Sequence, residues 1–543
     1  MTRRPAWPVL GLGMLVSLGV CLHVARGSTY SSDELAWVAG SPSMSFGDAF
    51  DPYSGHLVLL SHLVYKFVLE TIGSGYLTFR LLSLASVFLA VGLLFVWARR
   101  RVDEWIALAP CLVLLFFGSD SAHILQGNGF TVILAVACGM LALVALDRPG
   151  GRWDLVACLA LCLGVVTYTV ALPFVAGAAV LILARADRLR RSWIFLVPAG
   201  IYLAWRIWVQ ATGADLEAGG VDLINLLLLP AWSFQGIGAS LAALTGVDFD
   251  FNATSEATPG FAGPALAVAF LALLCLRLRR EGPGPTFWAV TAVALAMFAL
   301  QVASWIPGLR LPDSTRYLYP GAFVILLVAF EAGRGIRVPR VAVAAIWIVA
   351  LAGLGANLTI IRDNGEIYRE RAEKVSAQIT ASTMIHRMGE FAPGPGAKPL
   401  ASLVETYSPA ITEIGPAAGR YGLGIPGDEI AGRPEPTRAQ IDSILIGAIG
   451  PRLVPIASRP GDCSPAEPVA GSYLADLPPG GAVLEGNRGG TVGIGRFSDR
   501  ISATVGTLEA GRPALLAIPE DGAETPWKAG MDVPFKVCAA PGS

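Results

Sequence analysis

Asp33 and Glu34 stand together a few residues after the first long apolar run ends. A carboxylate at such a boundary can serve as a general base for a hydroxyl group. The loop that this pair begins also carries Asp51 and His56, both candidate contacts for an acceptor. A second set has complementary chemistry. Arg80, Arg206, Arg310 and Arg316, with Tyr317 beside the last, lie at the ends of apolar runs or in short loops between them. A guanidinium fork can donate two hydrogen bonds to a phosphate, and a charge at membrane depth is costly enough to imply function. His123, near Asp120 and Gln126, is a further candidate to line a cavity. The bland alternatives are solvated loop acids and arginines that snorkel to lipid headgroups. The sharper reading is displacement at a sugar anomeric carbon, with one carboxylate deprotonating the acceptor and arginines stabilising a departing lipid phosphate. That chemistry requires no metal, and the spacing of His and Cys residues marks no metal site; a divalent ion stays open.

These side chains need a scaffold, and composition says it is a membrane. The 543 residues are 54% hydrophobic and 15% charged, with a mean hydropathy of +0.58. Soluble domains carry about 25% charged residues. The net charge of −1 gives no reason to expect a nucleic-acid partner. Arg3-Arg4 and the apolar run after them resemble a secretory signal, but the many later runs favour an uncleaved first helix.

Basic residues gather on the cytoplasmic side of membrane proteins. Six clusters occur here, around Arg3, Arg99, Arg148, Arg185, Arg277 and Arg334. If all are cytoplasmic, an even number of crossings separates each pair. This parity predicts eleven spans: 8–25, 77–98, 105–118, 130–147, two within 155–184 with a turn near Thr169 to Pro173, then 192–209, 261–278, 286–305, 319–333 and 341–361. It leaves residues 26–76 outside, returning through an amphipathic helix over 57–69 whose polar stripe is His62, Lys66 and Glu70. It also denies a crossing to Leu223–Gly246, which is expected to be re-entrant or interfacial and broken at Pro230 and Gly236. The N-terminus is then cytoplasmic, and residues 363–543 are extracytoplasmic. Seventeen arginines fall in the six clusters, against six basic residues assigned to the outer side of residues 1–361.

Six of the eight cysteines lie in apolar runs, as small hydrophobes. Cys463 and Cys538 lie in the hydrophilic C-terminal part and are expected to form a disulfide, which also indicates an oxidising compartment. After a charged helix from Asn364 to Phe391, the pattern turns to short β-like runs at Ser443–Ile446, Ala482–Leu484, Gly490–Ile494, Ile501–Leu508 and Ala514–Ile518. The expected fold class is an α-helical polytopic membrane domain over 1–362 and a β-rich α+β domain over 363–543.

The order of these features resembles the GT-C superfamily of membrane glycosyltransferases, which includes protein O-mannosyltransferases and lipid A aminoarabinose transferases. The resemblance rests on a short basic N-terminus, a first span, the acidic pair, the stretch from Gly55 to Arg101 with Arg80-Leu81-Leu82-Ser83, and Ser314-Thr315-Arg316-Tyr317-Leu318-Tyr319-Pro320-Gly321 before a late span. It covers residues 1–361 in layout and about forty in sharp motifs. It implies that Asp33 takes the family's first-loop catalytic acid, with Glu34 beside it. It also implies that Arg316 and Tyr317 approach the lipid phosphate, and that His56 opens the interfacial helix. The partners implied are a polyprenyl-phosphate-linked sugar and membrane lipid, with a glycan, lipid or protein acceptor on the outer face of the plasma (inner) membrane. The C-terminal part has no counterpart in the resemblance. The competing readings are a transporter or flippase of lipid-linked glycan, and a non-catalytic scaffold of the cell envelope. A transporter would place polar residues near the bilayer midplane, whereas here the charges gather at helix ends.

Overall fold

A computed structural model describes residues 6–30, 32–213, 222–247, 249–251, 257–259, 261–280, 282–305, 310–388, 397, 411–457, 461–469, 471–499, 503–518 and 525–539. Its helices in chain order are α1 Ala6–Val24, α2 Ser32–Gly40, α3 Leu59–Thr71, α4 Tyr76–Ala98, α5 Glu104–Leu114, α6 Ser121–Leu125, α7 Gly129–Leu146, α8 Gly151–Thr167, α9 Leu172–Leu183, α10 Arg188–Arg191, α11 Trp193–Thr212, α12 Leu229–Thr245, α13 Ala262–Arg280, α14 Pro285–Ala303, α15 Thr315–Ala332, α16 Arg340–Arg387, α17 Ile411–Tyr421 and α18 Glu435–Ile449. The chain forms two compact units. The first holds residues up to Ser28, Met44–Phe67 and Gly75–Arg369; the second holds Thr29–Ser43, Val68–Ser74 and Glu370–Ser543.

Long apolar sequences fold as helices in the first unit because a helix satisfies its own backbone where no water is available. Among the described residues, nine helical stretches are long and apolar enough to cross a membrane, or ten if the bent pair α5–α6 counts as one. The expected count of eleven departs from this in three places. The run 105–118 bends by 45° between Leu114 and Gly118. The 155–184 run does divide, at Tyr168 to Ala171, but α8 reaches only about 25 Å and α9 about 18 Å at 1.5 Å per residue. The stretch Leu223–Thr245 has the length and hydropathy of a span. It is also unbroken at Gly236, which instead makes room for the ring of Phe298.

The contacts of α12 nevertheless lie at one end of its neighbours. Trp232 meets Trp305, just past the C-terminal end of α14. Gly238 packs against Gly263 and Pro264 at the start of α13, and Ser240 against Gly321 in the second turn of α15. Trp232 is buried with its indole N–H directed to Gln301 Oε1 at 3.4 Å.

Small residues let the helices approach closely, as is usual for packing within a membrane. Gly139 faces the Phe174 ring, and Gly177 faces Val293 and the Ala289 carbonyl; a Cβ at either glycine would fall within 3 Å of them. Large apolar side chains such as Leu12, Leu15, Leu203, Ile207, Leu273 and Ile348 stay exposed, as lipid-facing positions require.

Among the described residues, basic clusters meet at one end of this bundle; Arg3 and Arg4 lie outside those residues. Arg99 lies over Trp7 at the start of α1. Arg101 donates to both oxygens of Asp147 at 2.9 and 3.1 Å and also pairs with Glu331. Arg185 donates to the Leu146 carbonyl, and Arg277 to the carbonyls of Ala332 and Arg334. Their convergence is the structural counterpart of the parity that the sequence pattern demands.

The second unit contains two five-stranded antiparallel sheets. The strands are β3 Arg452–Pro455, β4 Cys463–Pro465, β5 Glu467–Val469, β6 Ser472–Asp476, β7 Gly481–Glu485, β8 Gly490–Gly495, β9 Ala503–Leu508, β10 Ala514–Ala517, β11 Lys528–Met531 and β12 Lys536–Cys538, numbered after a separate short pair, β1 Phe249–Phe251 and β2 Ala257–Pro259, in the first unit. One sheet runs β3-β10-β7-β12-β4 and the other β5-β6-β11-β8-β9. Cys463 and Cys538 are direct cross-strand partners on β4 and β12 and are joined as a disulfide.

Four of the five expected strand runs fall on strands. The fifth, Ser443–Ile446, lies inside α18. Its β-branched look is overridden by helical spacing: Ile441, Ile444, Leu445, Ala448 and Ile449 repeat at three and four residues and are all buried. Gly450 ends the helix in the left-handed region at φ 60°. The charged helix expected from Asn364 to Phe391 is not separate but continues the last apolar run, as the single 48-residue α16.

Candidate functional site

The site in the first unit is built from a loop, two helix ends and the short turn between α8 and α9. Tyr53 and His56 exchange backbone hydrogen bonds of 3.1 and 2.9 Å. Between them Ser54 and Gly55 have φ values of 48° and 79°, the left-handed pair that a tight two-residue turn requires. This turn is stapled to α11: Leu57 is buried with Trp205 and Val209, and the Trp205 indole N–H donates to the Phe50 carbonyl at 2.8 Å. His56 is thereby delivered onto the α8–α9 connection. Its Nδ1 lies 2.6 Å from Thr169 Oγ1, and its ring lies 4.4 Å from that of Tyr168. Burial, with Arg310 nearby as a second cause, lowers the His56 pKa to about 4. The imidazole is therefore neutral at physiological pH.

Arg310 donates to the Ser304 carbonyl at 3.1 Å. Arg316 and Tyr317 occupy the first turn of α15, where the Ser314 hydroxyl accepts the Leu311 N–H at 3.0 Å. Both Arg310 and Arg316 lie within electrostatic reach of Tyr317. Arg316 is exposed, and among the described residues no carboxylate pairs with it or with Arg310. This contrasts with Arg101 and Arg191 at the basic end, which are held by Asp147 and Asp154. Arg310 thus lies within electrostatic reach of both His56 and Tyr317, and Arg316 within reach of Tyr317. Arg206 is half-buried in α11 next to Trp205, on the helix to which the loop is stapled.

Other predicted residues have different surroundings. Arg80 is buried and donates to the carbonyls of Cys21 and Leu22 at 3.2 and 2.9 Å, which is the hydrogen bonding of a helix C-cap. Asp51 is exposed and acts electrostatically on His62. His123 is buried with its Nδ1 2.7 Å from Asp120 Oδ2. Residues 306–309, in the loop before Arg310, lie outside the described residues.

Asp33 and Glu34 belong to the second unit, on α2, which packs against α17. The two neighbours have opposite environments. Glu34 is 0% exposed, whereas Asp33 is open to solvent. The enclosed Tyr30 donates its hydroxyl hydrogen to the Ser74 carbonyl at 2.7 Å, and its pKa is raised first by burial and then by Glu34.

The sequence pattern places a turn near Thr169 to Pro173 but gives Tyr168 and Thr169 no part in a site, although a polar pair between two apolar runs marks the place. It gives no role to Asn357, a lone asparagine in the last apolar run. In the structure Asn357 is fully buried in α16 and accepts from both the backbone N–H and the hydroxyl of Ser119 at 3.0 Å. Among the described residues, Cys463, Glu485 and Cys538 converge closely enough to hold a metal. The disulfide between the two cysteines leaves that set with one carboxylate.

No protein-family model matches this chain, and no curated protein does. Two solved structures are similar to it. One is ArnT from Cupriavidus metallidurans bound to undecaprenyl phosphate, 14% identical, covering 78% of this chain and 86% of its own, at a TM-score of 0.46. The other is the same protein in the apo state, 13% identical, covering 76% and 85%, at a TM-score of 0.45.

Proposed function

We propose that this protein is a membrane glycosyltransferase that moves a sugar from a polyprenyl-phosphate donor to a hydroxyl acceptor at the extracytoplasmic face. The observation that carries this reading is the cluster of His56, Arg310, Arg316 and Tyr317. It offers two guanidinium groups without carboxylate partners among the described residues, beside an imidazole kept neutral. Such a cluster is suited to a phosphate at the bilayer edge. At the opposite end of the bundle, Arg101 and Arg191 are held by Asp147 and Asp154.

Asp33 takes the acceptor proton in this reading. The acceptor oxygen attacks the anomeric carbon from the face opposite the phosphate. The bond from C1 to the phosphate oxygen breaks, and polyprenyl phosphate leaves with the electron pair. The product has inverted configuration. Exposure suits Asp33 to this role because an open carboxylate is within reach of a substrate. Enclosure gives Glu34 a supporting role within α2.

The experiment uses purified full-length protein in liposomes with sugar-loaded polyprenyl phosphates and envelope extracts as acceptors. Release of free polyprenyl phosphate that depends on acceptor supports the reading. Transfer that persists in Asp33→Asn sinks the base assignment. Absence of release from every donor tried, with the protein folded, sinks the transferase reading.

A further inference from the structure

The break between α5 and α6 places a carboxylate where a continuous helix would not. Asp120 lies in a 3-10 turn, Gly118–Asp120, and is 0% exposed. Its Oδ2 accepts the backbone N–H of Tyr319 at 3.2 Å and lies 2.7 Å from His123 Nδ1. Its Oδ1 is buried without a hydrogen-bond partner among the described residues. An enclosed carboxylate is costly unless its surroundings compensate it. Here the Tyr319 N–H and the N-terminal turns of α15, whose aligned peptide dipoles point at the carboxyl group, offer that compensation.

The turn that carries Asp120 is itself clamped. Ser119 is tied to Asn357 through two hydrogen bonds, and the Asn357 side-chain amide donates to the carbonyls of Ala243 and Gly353, both at 2.9 Å. Ser121 continues the clamp to Asn364 at 2.8 Å and to the Tyr368 hydroxyl at 3.1 Å. Gly118 lies so close to α16 that a Cβ would fall 2.1 Å from the Asn357 carbonyl oxygen. Asp120 is thus a fixed point between α12, α16 and the start of α15.

We infer that Asp120 is a positioning residue for the phosphate cluster: by holding the Tyr319 N–H it sets the first turn of α15, on which Arg316 and Tyr317 are presented. This rests on the reading of that cluster as a phosphate site. It assigns a role to a buried acid that the reaction itself does not use. The misplacement of a guanidinium by even 1 Å weakens a bidentate contact, so the inference predicts an effect on lipid-phosphate binding without contact to the lipid.

The test is a double-mutant cycle on binding of undecaprenyl phosphate to full-length protein in detergent, with Asp120→Asn, Arg316→Ala and the pair. Thermal unfolding is measured alongside. The expected result is roughly tenfold weaker binding in each single variant and no further loss in the pair, because both remove the same interaction. Additive losses, or unchanged binding in Asp120→Asn beside weakened binding in Arg316→Ala, overturn the positioning role alone. Unchanged binding in Arg316→Ala overturns the phosphate reading on which it rests. If Asp120→Asn does not fold, His123→Asn replaces it in the same cycle. A loss that is again not additive supports the role, and an additive one overturns it.

Discussion

His56 Nδ1 sits 2.6 Å from Thr169 Oγ1, a contact across 113 residues that fixes the first loop on the α8–α9 turn. Burial and the nearby Arg310 lower the His56 pKa from 6.5 to about 4. A histidine whose folded pKa is lowered binds more protons when unfolded. It therefore contributes stability above the unfolded pKa, and that contribution fades as pH falls from about 6.5 towards 4. Thermal unfolding of the wild type should weaken over that window, and His56→Asn should flatten this part of the profile. Arg310→Gln removes one of the two causes, so the His56 titration should move up towards its ordinary value. Imidazole proton resonances followed against pH check both outcomes. A His56 titration unmoved in Arg310→Gln rules out the proximity argued for the pair.

Arg310 and Arg316 differ from every paired arginine at the basic end in having no carboxylate partner among the described residues. Removing a charge that binds phosphate costs about 1.5–3 kcal/mol, a factor of roughly ten to a hundred in affinity. Each alanine variant should weaken binding of a polyprenyl phosphate by that factor with little change in thermal stability. Arg80→Ala should do the reverse. Its guanidinium caps the carbonyls of Cys21 and Leu22, so its loss should lower the unfolding temperature and leave binding nearly intact. Parallel measurement of both quantities in the three variants separates phosphate ligands from a helix cap.

Asp33 and Glu34 are adjacent in sequence and opposite in environment, which makes their substitutions diagnostic. Asp33→Asn should abolish transfer and leave unfolding unchanged, since the side chain is exposed. Glu34→Gln should retain transfer in whatever fraction folds and should lower stability, since it disturbs a fully enclosed group beside Tyr30. Initial rates normalised to folded protein decide the matter. Equal losses in both variants would contradict the division of roles.

The helical scaffold was legible because its signals are long. Runs of about twenty apolar residues leave few alternatives, and the arginine clusters at their ends converge as parity requires. The acidic pair stands out in the sequence, but the difference between its members does not. Which of two neighbours faces inward depends on the packing of α2 against α17, whose residues lie nearly four hundred positions apart. The break at Leu114–Gly118 and the role of Asn357 were illegible for the same reason. A lone asparagine in an apolar run carries no label until Ser119 is brought to it. Ser443–Ile446 misled because short apolar runs fit strand and helix alike, and only the wider three-four spacing decides.

The disulfide gives a prediction for the second unit. Cys463 and Cys538 are 75 residues apart and join neighbouring strands of one sheet. Closing a loop of that length restricts the unfolded chain by about 4 kcal/mol on the chain-entropy model. Reduction should therefore lower the unfolding temperature of the sheets, read from the environment of Trp527, which is buried beside β11. Cys463→Ser with Cys538→Ser should reproduce the reduced protein and become insensitive to reductant. The first unit should respond differently, because its described cysteines are all free thiols within apolar helices. Its transition should stay where it is when reductant is added. Two transitions that shift together under reductant would show that the sheets and the helical bundle unfold as one cooperative block. A single shifted transition confined to the Trp527 signal would show that the disulfide acts on the second unit alone.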